Sequence, residues 1–252
     1  MSAEPSGPVV LVTGAAGDGI GRATVEEFLA RGARVAVTDR SERRTAEVVV
    51  ELQARHGAER VRGWALDVAD RSRADVVVAE VAESLGPVDV LVNNAGVNIV
   101  ADVHEMRPED WDHVIAVNLS APWYLSSLVL PSMRERRRGV IVMVGSVAAY
   151  ATDVLARGPY AASKAALESL TRTIAIEGGP FGVRCVGVHP GLIETAWMRK
   201  RAGSVEFKDQ PVLGRFGRPD EVAKVIAFLA SADASYVTGE TVTVSGGFKM
   251  RP

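Results

Sequence analysis

The stretch VVLVTGAAGDGIG, residues 9–21, decides the fold of this chain. It opens with the short β-branched run Val9–Val12, continues through a glycine-rich segment and leads into an amphipathic stretch. Glycines let the backbone turn sharply and approach a pyrophosphate, and the helix that follows offers free N–H groups at the positive end of its dipole. The pattern is typical of the strand–loop–helix unit that binds dinucleotides. Taken alone, it also fits an ordinary glycine-rich turn.

The next predicted strand places a carboxylate beside this loop. The run Arg34–Thr38 ends just before Asp39, which lies 18 residues after Gly21. Dinucleotide-binding units place an acidic residue about 20 residues beyond the glycines, where it binds ribose hydroxyls of NAD. Since Asp39 would repel the 2′-phosphate of NADP, and Asp18 adds a second negative charge, the sequence predicts NAD(H) over NADP(H). Arg40 is the opposing feature, because its guanidinium either reaches toward a phosphate or points to solvent.

Short β-branched runs alternate with longer amphipathic stretches along the whole chain. Strands are predicted at Val9–Val12, Arg34–Thr38, Val61–Ala65, Val88–Val92, Val140–Val144, Arg184–Val188 and Thr241–Val244. Helices are predicted at Gly21–Ala30, Ser41–Arg55, Arg71–Ser84 with Asp70 as N-cap, and Pro219–Ala230. Most strands are continuously apolar, as strands covered by helices on both faces should be. The alternation predicts an α/β fold with a doubly wound, mainly parallel seven-stranded sheet and a single domain over residues 1–252.

Composition excludes several classes of protein. Lys plus Arg is 29 and Asp plus Glu is 31, so a net charge of −2 gives no global case for nucleic acid binding. Cys185 is the only cysteine, which excludes an internal disulfide and favours a reducing compartment. The N-terminus lacks the basic and apolar regions of a signal peptide, and no apolar run approaches the roughly 18 residues of a membrane helix. We therefore expect a cytoplasmic protein without membrane contact.

Four histidines are the candidates for a metal site, and their spacing does not support one. They are His56, His104, His113 and His189. No pair shows a helical zinc spacing, so the sequence predicts no metal centre. His189 adjoins a strand end and is more simply explained by packing.

Tyr160 and Lys164 open a predicted helix at a spacing that puts both side chains on one face. An ordinary tyrosine pKa is about 10, and a nearby cation lowers it by favouring the phenolate. A phenol tuned in this way accepts a proton from an alcohol or donates one to a nascent alkoxide. The same spacing also fits an amphipathic helix with a half-buried tyrosine and a lysine that reaches solvent.

Polar residues at other predicted strand ends favour the catalytic interpretation. Ser146 follows the strand Val140–Val144, at the end where doubly wound sheets place their sites. Asn94 follows the fourth strand in the same way. Asn118 is an amide within an otherwise apolar helical run, where it is either functional or a core asparagine with satisfied hydrogen bonds.

Together these pieces resemble the classical short-chain dehydrogenase/reductase family from Val9 to Gly247. The matching pieces stand in family order: the Thr13–Gly21 loop, Asp67-Val68, Asn93-Asn94-Ala95-Gly96, Asn118, Ser146, Tyr160 with Lys164, Pro190-Gly191 with Thr195, and Arg218-Pro219 with Glu221-Val222-Ala223. The resemblance implies a Rossmann-type domain with a catalytic tetrad. In that tetrad Tyr160 is the acid/base, Ser146 positions the carbonyl, Lys164 lowers the tyrosine pKa and binds the nicotinamide ribose, and Asn118 holds a relay water.

The resemblance also implies a set of cofactor-binding residues. They are Gly14, Gly17, Asp18, Gly19, Ile20, Gly21, Asp39, Arg40, Asp67, Val68, Asn94, Ala95, Gly96, Tyr160, Lys164, Pro190, Gly191, Ile193 and Thr195. Within it, Asp67 would meet the adenine, Asn94 the adenosine-side ribose region, and Thr195 the carboxamide or pyrophosphate. The chain departs from the family pattern by one extra residue in the glycine loop and one between Ser146 and Tyr160. The extra loop residue leaves the middle glycine as either Gly17 or Gly19.

Three functions fit these residues. The first is an NAD-linked oxidoreductase that interconverts a secondary alcohol and a ketone, with a hydroxyacyl or hydroxy acid as one possible substrate. The second is an NADPH-linked 3-oxoacyl-thioester reductase, which Asp39 and Asp18 disfavour. The third, from a different class, is a non-enzymatic nucleotide sensor, against which the intact tetrad argues.

Two further expectations concern assembly and a lid. The resemblance implies a homo-oligomer, most simply a tetramer, and the segment Trp111–Met133 is apolar on more than one face. The least periodic part of the chain, Glu194–Gly217, predicts a loop-rich insertion, and we expect a substrate lid at residues 192–213. It brings Trp197 and Met198 for an apolar substrate body. Its cations Arg199, Lys200 and Arg201 are either a solvated face or a site for an anionic group.

Overall fold

The structure is a computed structural model that describes residues 7–151, 158–199 and 210–250. Its seven strands are β1 Val9–Thr13, β2 Arg34–Asp39, β3 Val61–Ala65, β4 Val90–Asn93, β5 Gly139–Val144, β6 Val183–Pro190 and β7 Thr241–Val244. They form one sheet in the order β3-β2-β1-β4-β5-β6-β7, and every neighbouring pair is parallel. The predicted α/β doubly wound Rossmann-type fold is confirmed.

The helices cover both faces of this sheet. They are α1 Ile20–Ala30, α2 Glu42–His56, α3 Arg71–Ser84, α4 Pro108–Ile115, α5 Ala121–Glu135, α6 Pro159–Gly178, α7 Ala196–Arg199 and α8 Pro219–Ala230. Side-chain hydrogen bonds at the N-cap explain where two of these helices begin. The side chain of Ser41 accepts a hydrogen bond from Arg44 N, and that of Asp70, the predicted N-cap of α3, accepts one from Arg73 N.

Alternating side chains of the strands fill two cores, one on each face. On β1, Val9 and Leu11 pack with α3, α5 and α6, while Val10 and Val12 pack with α1 and α8. Both sets are fully buried, which is why the strand reads as a continuous apolar run. The sheet order reverses between β1 and β4, and ligands of doubly wound sheets bind at such a switch point.

Several predicted boundaries differ from the structure. The fourth strand begins at Val90 rather than Val88, and β6 extends to Pro190, which brings His189 into the sheet opposite Thr243 of β7. The irregular insertion contains the short helix α7 and a bridge between Ile193 and Gly217. Its residues 200–209, with the predicted cations Lys200 and Arg201, lie outside the described residues, as does the side chain of Arg199.

The apolar segment predicted at Trp111–Met133 is one helix from Pro108 to Glu135, in which α4 and α5 are joined by a π-helical turn at Ala116–Ser120. By length and composition this helix could cross a membrane, and half of its most apolar window is buried inside the protein. The expectation that no apolar stretch approaches spanning length is therefore wrong for this helix. Buried core helices of soluble proteins have the same properties, so the observation is weak support for a membrane span.

Candidate active site

A cavity of about 980 Å³ opens at the carboxyl ends of the strands. That volume lies near the top of the range for ligand sites, roughly 300–1,000 Å³. All nineteen predicted cofactor-binding residues line the cavity, and so does Ser146. Asn118 does not. Three residues of the predicted lid, Leu192, Ala196 and Met198, also line the cavity. The cavity further contains residues that sequence reasoning missed: Arg44, Leu66, Val97, Asn98, His113, Val117, Val144, Gly145, Val147, Ala148, Phe248 and Lys249.

Two positions of the glycine loop after β1 accept only glycine, because neighbouring atoms leave no room for a Cβ. Gly14 has a left-handed backbone (φ +63°), and a Cβ there would lie 2.9 Å from the Cα of Ala95. A Cβ on Gly21 would lie 2.5 Å from Asn94 Nδ2. The first and last glycines therefore fit the loop against the end of β4.

The two middle glycines face open space. A Cβ on Gly17 would meet no atom within 4 Å, and one on Gly19 would meet only Thr195 Cγ2 at 3.6 Å. Gly19 is the N-cap of α1, and no side chain caps that helix start. Because Gly17, Gly19 and Ile20 line the cavity, this part of the loop can approach a pyrophosphate.

Asn94 braces the loop. Its Nδ2 donates to the carbonyls of Thr13 (2.8 Å) and Gly14 (3.1 Å), and the hydroxyl of Thr13 accepts from the backbone N–H groups of Asn94 and Ala95, each at 3.0 Å. These bonds tie β1 to β4 across the switch point. Asn94 lines the cavity as predicted, but its amide nitrogen holds the loop.

Asp39 lies at the end of β2 with its carboxylate held by three partners. Oδ2 accepts from Ala16 N (3.3 Å), and Oδ1 accepts from Ser41 N (3.1 Å) and from Arg44 Nη2 (3.2 Å). The side chain of Asp39 is 10% exposed and that of Arg44 is 46% exposed. The carboxylate is thus oriented before any ligand binds, and a guanidinium already partly neutralises it.

Ser146, Tyr160 and Lys164 converge at the other end of the cavity. The hydroxyls of Ser146 and Tyr160 share a hydrogen bond, and Ser146 Oγ also accepts from Ala148 N at 3.1 Å. Lys164 Nζ lies 5.6 Å from the centre of the Tyr160 ring and donates to the carbonyl of Val144 at 2.8 Å. Ser146, two residues after the end of β5, and the two α6 side chains therefore meet at the carboxyl ends of the strands.

Burial controls the protonation of this group. It raises the pKa of Tyr160 above its usual value, and the hydrogen bond from Ser146 opposes that rise. Burial also lowers the pKa of Lys164 to about 8, because an ammonium is costly away from water. Burial and the hydrogen bond from Ser146 are the two causes that shift the pKa of Tyr160 here, and a lowering of that pKa by Lys164 stays a prediction.

Asn118 lies behind this group, fully buried in the π-helical turn. Its Oδ1 accepts from Val97 N and its Nδ2 donates to Val97 O, each at 2.9 Å, and Nδ2 also donates to Ser163 Oγ at 3.2 Å. These bonds fix the loop after β4 and match the alternative of a satisfied core asparagine. A Cβ on Gly96 would approach both Asn118 Oδ1 (3.5 Å) and Lys164 Nζ (3.6 Å), so the two side chains face one spot.

An apolar wall closes the end of the cavity that holds the predicted catalytic residues Ser146, Tyr160 and Lys164, the catalytic end. Val147, Leu192 and Phe248 form a buried cluster with the half-buried residues Tyr150, Met198 and Phe216 packed against it. Of the predicted lid pair, Met198 lines the cavity and the side chain of Trp197 lies outside the described residues. The contribution of Phe248, near the end of the chain, has no local sequence signal.

A family model described as Enoyl-(Acyl carrier protein) reductase matches residues 14–249 of the chain. Family members of the short-chain dehydrogenase/reductase class match over nearly its whole length. The chain is a short-chain dehydrogenase/reductase.

Two relatives of this short-chain dehydrogenase/reductase show how it compares by sequence. A 3-oxoacyl-[acyl-carrier-protein] reductase of Thermotoga maritima is 41% identical over 244 residues, covering 96% of this chain and 97% of the relative. The (5R,7aS)-5-hydroxy-7a-methyl-1-oxo-2,3,5,6,7,7a-hexahydro-1H-indene-carboxyl-CoA reductase of Mycobacterium tuberculosis is 40% identical over 244 residues, covering 95% of this chain and 92% of the relative. Both are named as reductases of thioester substrates.

A solved structure matches at a similar level. The crystal structure of a 3-oxoacyl-[acyl-carrier protein] reductase with bound NAD from Brucella melitensis has a TM-score of 0.87 and 36% identity, covering 98% of this chain and 94% of that chain. Short-chain dehydrogenase/reductases are oxidoreductases that act on CH–OH and ketone groups, so the chain belongs to that reaction class.

A nicotinamide dinucleotide fits the cavity of this short-chain dehydrogenase/reductase. One end offers an oriented carboxylate at Asp39, and the middle offers the uncapped start of α1 with open space at Gly17. The other end offers Tyr160 and Lys164. Among the described residues there is no group of three side chains that could hold a metal ion. His189 is buried, with Nε2 3.4 Å from Glu168 Oε1 and its ring stacked on Tyr150.

Proposed function

We propose that the protein is an NAD(H)-dependent oxidoreductase that interconverts a secondary alcohol and a ketone, with Tyr160 as the acid/base. The convergence of Ser146, Tyr160 and Lys164 at one end of the cavity carries the proposal. A carbonyl oxygen placed beside the hydroxyls of Ser146 and Tyr160 accepts a hydrogen bond from each. A nicotinamide dinucleotide held in this cavity would supply or take up the hydride.

Each side chain then has a defined task. In reduction, Tyr160 donates its proton to the alkoxide that develops on the substrate, and in oxidation its phenolate accepts the alcohol proton. Ser146 holds the same oxygen in place. Because burial raises the pKa of Tyr160, the phenolate needs positive charge beside it. The ammonium of Lys164 supplies such a charge below its pKa of about 8.

The preference for NAD(H) rests on Asp39. Its carboxylate is fixed at the end of β2 and lines the cavity, where it suits ribose hydroxyls and opposes a 2′-phosphate. The related structure from Brucella melitensis contains NAD, which supports this choice. Arg40 is exposed at the same end and is the opposing feature.

A second candidate function is reduction of 3-oxoacyl thioesters with NADPH. The names of the relatives from Thermotoga maritima and Mycobacterium tuberculosis favour thioester substrates. The apolar wall of Val147, Met198 and Phe248 would accommodate an acyl chain in either case. The two candidates share Ser146 and Tyr160 and differ in substrate and cofactor.

We also propose a cytoplasmic homotetramer. The helix from Pro108 to Glu135 leaves Trp111 and Trp123 42% and 47% exposed, and large aromatic side chains are common at subunit contacts. The alternative is a helix face that simply meets solvent. Light scattering that shows a monomer at micromolar concentration would contradict the tetramer.

A cofactor and substrate screen tests the proposed function. The purified protein is mixed with NADH or NADPH and a panel of ketones and 3-oxoacyl thioesters, and with NAD or NADP and the matching alcohols. Nicotinamide absorbance reports turnover. We expect turnover with a ketone and a higher kcat/KM with NADH. A higher kcat/KM with NADPH on a 3-oxoacyl thioester establishes the second candidate, and binding of cofactor without turnover of any substrate favours a nucleotide sensor.

A further inference from the structure

Asp39, Arg40 and Arg44 line the end of the cavity where the proposed function puts the adenosine ribose, the adenosine end. Arg44 lies there in the first turn of α2, and no part of the proposed function yet uses it. Its Nη2 donates to Asp39 Oδ1 at 3.2 Å, and it lines the cavity together with Asp39 and Arg40. It is the only charged partner that the described residues give Asp39. The carboxylate that should exclude a 2′-phosphate is therefore already ion-paired.

The charges at the adenosine end oppose a 2′-phosphate less strongly than Asp39 alone would. Two guanidiniums, Arg40 and Arg44, stand beside one carboxylate. The start of α2 adds the positive end of its dipole, and Ser41 N donates to Asp39. Other acids of the cavity, Asp18 and Asp67, belong to different loops.

We propose that Arg44 is a specificity-determining residue for the dinucleotide, and that its ion pair with Asp39 sets how strongly the protein rejects a 2′-phosphate. While the pair is closed, Asp39 is free to accept a ribose hydroxyl on its remaining lone pairs and Arg44 reduces its repulsion of phosphate. Without Asp39, Arg44 is released toward the ribose, where guanidinium binds phosphate with charge-assisted hydrogen bonds. The proposal rests on the proposed function, since it requires the adenosine ribose to lie at Asp39.

The test compares dissociation constants of NADH and NADPH, which need no turnover and are read from nicotinamide fluorescence. The quantity compared is Kd for NADPH divided by Kd for NADH, measured in the wild type, Arg44→Ala, Asp39→Ala and the double variant. Arg43→Ala is the matched control. Arg43 is the neighbouring residue on α2, is 77% exposed, pairs with Glu47 at 2.7 Å and does not line the cavity.

We expect the ratio to rise about fivefold in Arg44→Ala, because the carboxylate loses a partly exposed ion pair and the phosphate loses a cation. In Asp39→Ala we expect the ratio to fall at least about tenfold, to the point where NADPH binds more tightly. Removing Arg44 as well should raise the ratio again from the value in Asp39→Ala. Arg43→Ala should leave the wild-type ratio unchanged.

The outcomes separate this inference from the proposed function. If Arg44→Ala weakens both cofactors equally, Arg44 only stabilises the start of α2 and the inference is wrong. It is also wrong if the double variant binds like Asp39→Ala. If the wild type binds neither NADH nor NADPH, the proposed function itself fails. The same ratio of dissociation constants is measured at low and high salt. Its dependence on these charges should weaken at high salt, because partly exposed charges are screened.

Discussion

The two ends of the cavity differ in how their charged side chains are bonded and buried. At the adenosine end, Asp39 keeps its carboxylate in contact with two N–H groups and the guanidinium of Arg44. At the catalytic end, Lys164 is almost fully buried and its ammonium donates to one carbonyl. Burial there raises the pKa of Tyr160 and lowers that of Lys164. At the adenosine end the carboxylate is oriented before a ligand binds. At the catalytic end the protonation of Tyr160 and Lys164 depends on what binds beside them.

Removing the phenol hydroxyl should have the largest effect at the catalytic end. We expect Tyr160→Phe to lower kcat by about 10²–10⁴-fold, the usual contribution of a positioned proton donor, with the Kd for NADH largely retained. Steady-state kinetics and fluorescence titration measure the two quantities. Tyr236→Phe is the control, since Tyr236 is fully exposed. Near-normal turnover by Tyr160→Phe would refute its role as acid/base.

Removing the buried cation should affect both chemistry and binding. We expect Lys164→Met to lower kcat and to raise the Kd for NADH, because in the proposed mechanism the same ammonium stabilises the phenolate and binds the nicotinamide ribose. Lys224→Met is the control, since Lys224 is an exposed cation on α8 that pairs with Asp220 at 3.0 Å. A variant that loses turnover and keeps its full affinity for NADH would limit Lys164 to the chemical step.

Within the glycine loop, two equal substitutions should separate folding from binding. In Gly21→Ala the new Cβ would lie 2.5 Å from Asn94 Nδ2 and from Gly14 O, so we expect a loss of about 1–3 kcal/mol in unfolding free energy. Gly17→Ala meets no neighbour, and we expect unchanged stability with weaker NADH binding, because the methyl group enters the cavity. Urea unfolding and cofactor titration measure both. Equal losses of stability would show that the loop packs differently.

The smallest expected effect is a dependence of stability on pH at Lys164. Its pKa is about 8 in the folded protein and 10.5 in its unperturbed state, so the unfolded chain binds more protons between these values. The cost of burying the ammonium is complete below pH 8 and is relieved as pH rises toward 10.5. We expect the wild type to gain about 1 kcal/mol relative to Lys164→Met between pH 7 and pH 9.

Urea unfolding of both proteins at the two pH values measures this difference. Cys185, whose pKa burial raises to about 12, titrates in the same way in both proteins and cancels from the comparison. A difference that stays constant with pH would mean that the ammonium of Lys164 is hydrated in the folded protein.

The sequence predicts the framework of both ends because each signal is local. The strand ends, the glycine loop and the four-residue spacing of Tyr160 and Lys164 are read directly from the chain and lead to one cavity. The N-cap at Asp70 is similarly local. These features depend on backbone geometry within a few residues, which sequence patterns record well.

The features that sequence reasoning missed depend on contacts between segments that are distant in the chain or differently oriented in the fold. Phe248 reaches the catalytic wall from the end of the chain, and Arg44 reaches Asp39 only because α2 begins directly beneath it. The raised pKa of Tyr160 follows from burial, which residue spacing does not report. The hydrogen bonds of Asn118 to Val97 likewise require the loop after β4 to fold back on the π-helical turn.

Isotope transfer tests the central claim most directly. The wild type is incubated with NADH carrying deuterium at the transferred C4 position and with the ketone that it reduces fastest in the screen, and the alcohol is analysed by mass spectrometry. The account predicts one deuterium on the new carbinol carbon of each product molecule, and loss of that product in Tyr160→Phe. The experiment is run with NADH labelled at each of the two C4 positions in turn. An alcohol that carries no deuterium in either case, while the labelled cofactor is consumed, would contradict hydride transfer in this cavity.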